Sequence, residues 1–220
     1  HGNHSITEAL GLWMTGLLFP ELKNAEKYLS FGHMSIEREA RKQIFTDGTY
    51  SMYSLNYHRF VLHVYLYAMR LAEINHFPLS DQLKQLITKS IEYLSQLIDP
   101  QTGQMPVYGS NDGALVLPLN NCGFTDYRPL LQLGWYITKG ERLFDPGPWD
   151  EDIFWLCGSE SPSPAGRGVR AEGEIAFPHG GTYLLRSTNS RALLRCTDFP
   201  ARPSPADQFH MDLWICGHNL

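Results

Sequence analysis

The sequence predicts an α+β multidomain chain with helices first and strands after, and three observations carry that prediction. Apolar residues recur at helical spacing from about residue 5 to residue 138. A stretch rich in Pro, Gly and Ser, including Ser161-Pro-Ser-Pro-Ala-Gly, then interrupts the pattern like a linker. Beyond it the period changes to the alternation of strands. A run of helices followed by a run of strands points to an all-α part and an antiparallel β part. The expected boundaries are 1–145 for the helical part, 146–173 for the linker and 174–220 for the first strands of the β part.

Each element has its own signal. Ser5-Ile6-Thr7-Glu8 has the capping-box pattern, and the run from Ala9 to Phe19 is apolar on nearly every side, which predicts a buried helix. Pro20 suits the first turn of a second helix, running through Leu22, Ala25, Glu26 and Leu29 to Ile44 with a weak point at Gly32. Asp47-Gly48 is a turn signal. A third helix is expected over Asn56 to Ile74. Tyr57, Phe60, Val61, Val64, Ala68 and Leu71 form one apolar stripe, and Leu62, Tyr65, Leu66 and Met69 make the other side apolar too. Such a helix is covered on both faces; two concentric layers of antiparallel hairpins provide that cover, and so does a simple bundle. A fourth helix runs from Ser80, its cap, to Ile98. Residues 99–124, rich in Gly, Pro and Asn, read as a long ordered loop of the kind that often carries function. A further helix covers Tyr127 to Thr138, and strands are expected over 181–187, 191–196 and 209–214. The last strand has nothing after it to pair with, and the first residues carry neither an initiator Met nor a signal segment. Both features predict a piece of a longer protein.

Composition narrows the classes of function. The 220 residues are 43% hydrophobic and 19% charged, as in ordinary globular chains. A net charge of -5 argues against a nucleic-acid partner or an anionic membrane surface, and no apolar run reaches the roughly 18 residues of a membrane span. Cys122, Cys157, Cys196 and Cys216 are spread without a CxxC pair, so neither a zinc ribbon nor a disulfide framework is implied. Walker, dinucleotide-binding, HExxH and GxSxG signatures are missing, which excludes the families that carry them. The remaining polar clusters are Asn3-His4, Asn56-Tyr57-His58-Arg59, Asn111-Asp112, and Asp207 to Asp212 with His210. Each has a plain alternative. Tyr57 also fits the core, Asn3-His4 a helix lead-in, Asn111-Asp112-Gly113 a turn, and His210 the solvent face of an edge strand.

Taken together these segments resemble the heparinase II/III-like polysaccharide lyases. The resemblance rests on Gly2-Asn3-His4-Ser5 with Glu8-Ala9, on Asp47-Gly48 followed by Ser54-Leu55-Asn56-Tyr57-His58-Arg59-Phe60, and on Gly109-Ser110-Asn111-Asp112-Gly113. It continues through Asp126-Tyr127-Arg128-Pro129, Gly180-Gly181-Thr182-Tyr183 and Ala206-Asp207-Gln208. It implies a partial α/α toroid of helical hairpins followed by the start of an antiparallel β-sandwich domain. It also implies β-elimination on a uronic-acid polysaccharide. That reaction needs a neutralised carboxylate, a base for the adjacent carbon's proton and an acid for the departing oxygen. By resemblance, Asn3 and His4 meet the carboxylate, Tyr57 is the catalytic tyrosine, and His58, Arg59, Asn111, Asp112 and His210 bind substrate.

The chain departs from the family pattern at Pro205, where a His is usual and in some members helps to bind a structural zinc. No metal or other cofactor is therefore expected, and His179, His210 and Asp212 have no diagnostic ligand spacing. Two alternatives stand beside the lyase: a non-catalytic carbohydrate-binding relative, which Pro205 favours, and a toroid-fold glycoside hydrolase. The latter needs two opposed carboxylates, for which Asp112, Asp126 and Glu8 are the candidates. The expected partner is an acidic polysaccharide, with no nucleic acid and no membrane, and the resemblance implies a periplasmic or secreted protein.

Overall fold

A computed structural model describes residues 2–158, 172–197 and 207–220. Among them are six α-helices, followed by one five-stranded antiparallel sheet. No described helix is long and apolar enough to cross a membrane.

Helices α1 (Asn3–Leu18) and α2 (Ala25–Gln43) form an antiparallel hairpin. Its register is fixed by Gly16 lying on the backbone of Ala25 and Leu29, and Gly32 on the backbone of Trp13. A Cβ at either glycine would enter the opposing main chain. Gly32 is therefore a contact point inside a continuous helix, where the sequence suggested a weak point. The expected capping box is not formed. Helix α1 begins two residues earlier, and the Ser5 hydroxyl meets Glu39 of α2 at 3.0 Å. Nor does Pro20 start α2, whose N-cap is Asn24. Only one face of α1 is buried, through Ile6, Ala9, Leu10, Trp13 and Gly16, because α2 and α3 cover that side and no described helix covers the other; Leu18 and Phe19 stay exposed.

Helix α3 (Leu55–Ile74) is the central element and contacts α1, α4 (Asp81–Leu97) and α5 (Arg128–Lys139). Its residues from Val61 to Ala68 are all buried, as the all-round apolar pattern predicts. Ser54 caps it by accepting from the Tyr57 amide at 3.2 Å. Ser80 caps α4 in the same way through the Leu83 amide, and Glu37 of α2 holds Ser80 by both its amide and its hydroxyl. Helix α5 has Pro129 in its first turn and ends on left-handed Gly140. Residues 99–126 carry no helix or strand. The stretch read as a linker contains a 3-10 turn at Pro148–Asp150 and helix α6 at Glu151–Cys157. Ile153 of α6 joins the core, which is why a Pro- and Gly-rich flank still folds there. Residues 159–171 and Pro205 lie outside the described residues.

Strands β1 (Gly173–Phe177), β2 (Thr182–Arg186), β3 (Ser190–Arg195), β4 (Met211–Ile215) and β5 (His218–Asn219) pair in chain order. The strand expected to lack a partner is β4, and it lies between β3 and β5 because the chain turns back at Gly217. The inner face alternates Thr182, Leu184 and Arg186 with Arg195, Leu193 and Arg191 opposite them. It packs on α4: Tyr93 meets the Phe177 ring edge-on at 4.7 Å and Thr182 Oγ1 at 3.2 Å. The Arg191 guanidinium donates to Leu97 O, capping the end of α4. The outer face carries Leu185, Met211 and Ile215, which are exposed, with Leu194 and Leu213 beside them.

Candidate active site

The first turn of α3 places Tyr57 where the helix emerges from the core. Its ring is half-buried, and its hydroxyl donates to Asp112 Oδ2 at 2.5 Å. Asp112 is exposed, and the Tyr57 hydrogen bond, with a second from the Ala114 amide, holds its carboxyl below the usual aspartate range. Asn111 stands beside it, its Oδ1 accepting from the Gly113 amide in an Asx turn.

Residues 108–112 act as a strap across three elements. Tyr108 shares a 2.8 Å hydrogen bond with Tyr93 of α4. The Gly109 amide donates to Asp207 Oδ2, which leads into β4. Ser110 O accepts from the α3 cap Ser54, and Asp112 accepts from Tyr57. Gly109 has φ +74 and lies against Tyr53 O, a position only glycine fits.

On the sheet side, Asp207 also faces the fully buried Arg195 guanidinium at 3.5 Å and His210 Nδ1 at 3.2 Å. Arg195 lies over the Tyr53 and Tyr108 rings. His210 thus reaches the Tyr57 region through Asp207 and Gly109. Asp207 stands in the sequence as the first residue of the polar cluster Asp207 to Asp212 without a role of its own. Arg195 and Tyr108 carry no sequence signal, since nothing local marks an arginine on a strand as buried.

Asn3 and His4 sit in the first turn of α1, the former buried and the latter exposed. That end is anchored by Gly2 O, which accepts from Ser5 Oγ and Gln43 Nε2. Gln43 Oε1 accepts from Tyr50, and Tyr50 titrates well above the usual tyrosine range, through burial first and then through Glu39 and Tyr57 nearby. The hydrogen bonds from the start of α1 therefore run through Gln43 to Tyr50, whose ring lies 5.6 Å from that of His58, the residue after Tyr57. Glu39 closes the cluster. Burial alone would raise its carboxyl, but hydrogen bonds from Gln43, Ser5 and Arg38 hold it below the ordinary value.

Two residues expected to bind substrate lie in the interior. His58 is buried, 1% exposed, and stacks on Tyr93. Its Nε2 lies 2.6 Å from Ser90 Oγ. The one hydroxyl proton of Ser90 goes to Gly48 O, so Nε2 carries the proton that His58 donates. Burial depresses the ring pKa to about 3, which keeps it neutral. Arg59 is buried as well, 2% exposed, because its guanidinium is sandwiched between Phe124 and Tyr127 and donates to Phe124 O and to Asn56 Oδ1. Neither side chain reaches solvent.

The candidate carboxylates for a hydrolase are dispersed. Asp126 accepts from Arg128 with both oxygens, and Glu8 is exposed on α1. Nor do His179, His210 and Asp212 fit one metal site. Asp212 Oδ1 accepts from Trp214 and Asn219, His210 faces Asp207, and the His179 segment binds Asp47 through its amide. Among the described residues no three His, Cys, Asp or Glu side chains group around a common point.

A family model described as Heparinase II/III N-terminus matches residues 1–117. A heparin-sulfate lyase of Bacteroides thetaiotaomicron is 29% identical over 192 residues, which is 84% of this chain and 25% of that protein. A crystal structure of Heparinase III covers the whole chain at TM-score 0.70 and 22% identity, and the chain spans 34% of it. A second Heparinase III structure matches at TM-score 0.66 and 17% identity, with 32% of it spanned. The chain thus spans between a quarter and about a third of these relatives, and the two structures share its helical array and antiparallel sheet.

Proposed function

Since the chain belongs to the heparinase II/III family, we propose that it works in a polysaccharide lyase that cleaves a uronic-acid-containing chain by β-elimination. The supporting observation is the Tyr57 hydroxyl. It emerges from the first turn of a helix whose middle is buried and donates to an exposed carboxylate at the strap. A core tyrosine would find its partner inside; this one presents its proton at the surface.

The reaction divides into tasks that these residues suit. Removing the proton next to a uronate carboxylate builds negative charge on that carboxylate. The Asn3 amide and the His4 ring supply the hydrogen bonds and positive charge that offset it. Tyr57 carries both proton transfers once substrate displaces Asp112. Its hydroxyl gives its proton to the departing glycosidic oxygen, and the phenolate so formed takes the proton from the carbon next to the carboxylate, which restores the phenol as the bond to the leaving oxygen breaks. Asn111, Asp112 and His210 line the approach. The chemical step needs no metal in this reading. A net charge of -5 favours a uronate polymer over a heavily sulfated one.

The same reading extends to architecture. The division at 1–145, 146–173 and 174–220, the toroid of helical hairpins and the β-sandwich belong to it. An outer sheet face carrying Leu185, Met211 and Ile215 in solvent suits cover by a second sheet. A periplasmic or secreted setting is where such polymers are met.

The experiment is a screen of uronate polysaccharides for the absorbance of the unsaturated product, using the full-length protein and Tyr57→Phe. Turnover should fall by about 10²–10⁴ with the melting temperature nearly unchanged, and His4→Ala should weaken it as well. Near-normal turnover by Tyr57→Phe on a substrate that the parent cleaves would overturn the assignment.

A further inference from the structure

Beside Tyr57 lies a small cleft of about 140 Å³, lined by Asn56, Met105, Tyr108, Asn111, Phe124 and Tyr127. Asn56 holds an unusual position there. It is 3% exposed, and its Nδ2 has no hydrogen-bond partner among the described residues. The amide orientation is not ambiguous. Arg59 Nη2 donates at 2.9 Å to the other end of that side chain, and a guanidinium cannot accept, so Oδ1 faces Arg59 and the NH2 group is left over. An unmade hydrogen bond on a buried donor is costly.

Arg59 adds a second, independent demand. It is buried, and its partners, Phe124 O and Asn56 Oδ1, are both neutral. No carboxylate among the described residues pairs with it, and the rings of Phe124 and Tyr127 lie 4.2 and 4.5 Å from its charge centre. Burial without a countercharge lowers its pKa below the usual arginine value. A buried charge with neutral neighbours is stabilised by any anion that comes within reach. The rim is open, since Asn111 and Phe124 are exposed there. At Asn111, Oδ1 is occupied by Gly113, so the rim also offers an amide donor. The cleft therefore offers the Asn56 and Asn111 amides, with the Arg59 charge buried against two of its walls, the rings of Phe124 and Tyr127.

We propose that this cleft binds an oxyanion of the substrate, a carboxylate or a sulfate, through the Asn56 amide, with Arg59 as the positioning residue that supplies the countercharge. The size agrees: a volume of about 140 Å³ has room for one such group. The site would hold a charged substituent on a unit next to the one whose bond breaks, so specificity for charge pattern would arise at the residue that precedes Tyr57 in the chain. Identifying the oxyanion with a polysaccharide substituent rests on the lyase reading; the binding itself does not.

The test is an NMR titration of the isotope-labelled chain with sodium sulfate and, separately, sodium acetate, at ionic strength held constant with chloride. The expected result is a saturable shift of the Asn56 side-chain amide signals by at least one of the two, and which one acts identifies sulfate or carboxylate as the source. Asn56→Ala should weaken that binding by about tenfold or more, the loss of a hydrogen bond to a charged group. Should that variant misfold, Asn111→Ala at the exposed rim should still weaken it several-fold, and the wild-type titration stands alone. No saturable shift with either anion would overturn the proposal, as would a shift produced by neutral acetamide and not by the anions. Turnover plays no part in this readout. A failed titration therefore leaves the lyase reading intact, and a fully active Tyr57→Phe leaves the titration intact.

Discussion

Acid should act on this fold through His58. Burial holds its pKa near 3 against an ordinary value of 6.5. In the unfolded chain the ring takes up a proton as pH falls through about 6.5; in the folded chain it refuses one until about pH 3. The depressed folded value means that the contribution is complete above pH 6.5 and is lost as pH falls towards 3. Each pH unit in that window shifts the balance by about 1.4 kcal/mol, so about 2 kcal/mol is gone at pH 5. The perturbation is His58→Gln, whose amide still donates to Ser90 but does not titrate. Urea unfolding of both proteins from pH 7.5 to 4.5 gives the difference in stability at each pH. His63, buried and depressed to about 3 by burial and by Arg59, titrates in both proteins and cancels, as do the carboxylates. The difference should shift by about 2 kcal/mol in favour of the variant between pH 7 and pH 5. A difference that stays flat across that range would refute the argument and place His58 in contact with water.

Other consequences can be checked with simple variants. Gly32→Ala drives a methyl into the Trp13 main chain, and overpacking against backbone should cost about 2–3 kcal/mol in denaturant midpoint despite alanine's better helix propensity. Asp207→Ala removes the carboxylate facing the buried Arg195, and because Asp207 is 26% exposed the loss should fall at about 2–3 kcal/mol, the low side for a broken buried pair, read by thermal unfolding. Tyr57→Phe should let the Asp112 carboxyl pKa climb back towards the ordinary aspartate value, followed by NMR, since the Tyr57 hydrogen bond is the chief cause of its depression.

Helix α3 was legible because its pattern is local and redundant: apolar residues on every side admit no other placement than the centre. The cap at Ser80 and the three strands read from alternation share that local character. Where reading failed, a distant partner decided. Ser5 looks like a cap until Glu39 arrives from 34 residues away. Gly32 looks like a weak point until the Trp13 backbone rests on it. His58 and Arg59 follow a nominated tyrosine in sequence, but on a helix neighbours point about 100° apart, so one residue at the surface leaves the next two facing the interior. Asn111 and Asp112 were visible as a turn with chemistry to offer. That the turn would rest on Tyr57 depends on Gly109 and on the Ser54 cap, which no spacing rule connects.

The strap of residues 108–112 also has a consequence for motion. It makes hydrogen bonds to α4, to the cap of α3 and to the start of β4 within five residues. Local opening in proteins proceeds in contiguous cooperative units, and here one such unit spans helices and sheet alike. Tyr57 is therefore not positioned by its helix alone. A fluctuation that releases Asp207 from Gly109 would loosen the same segment that holds Asp112, so opening at the sheet edge and rearrangement around the tyrosine are coupled through one stretch of backbone.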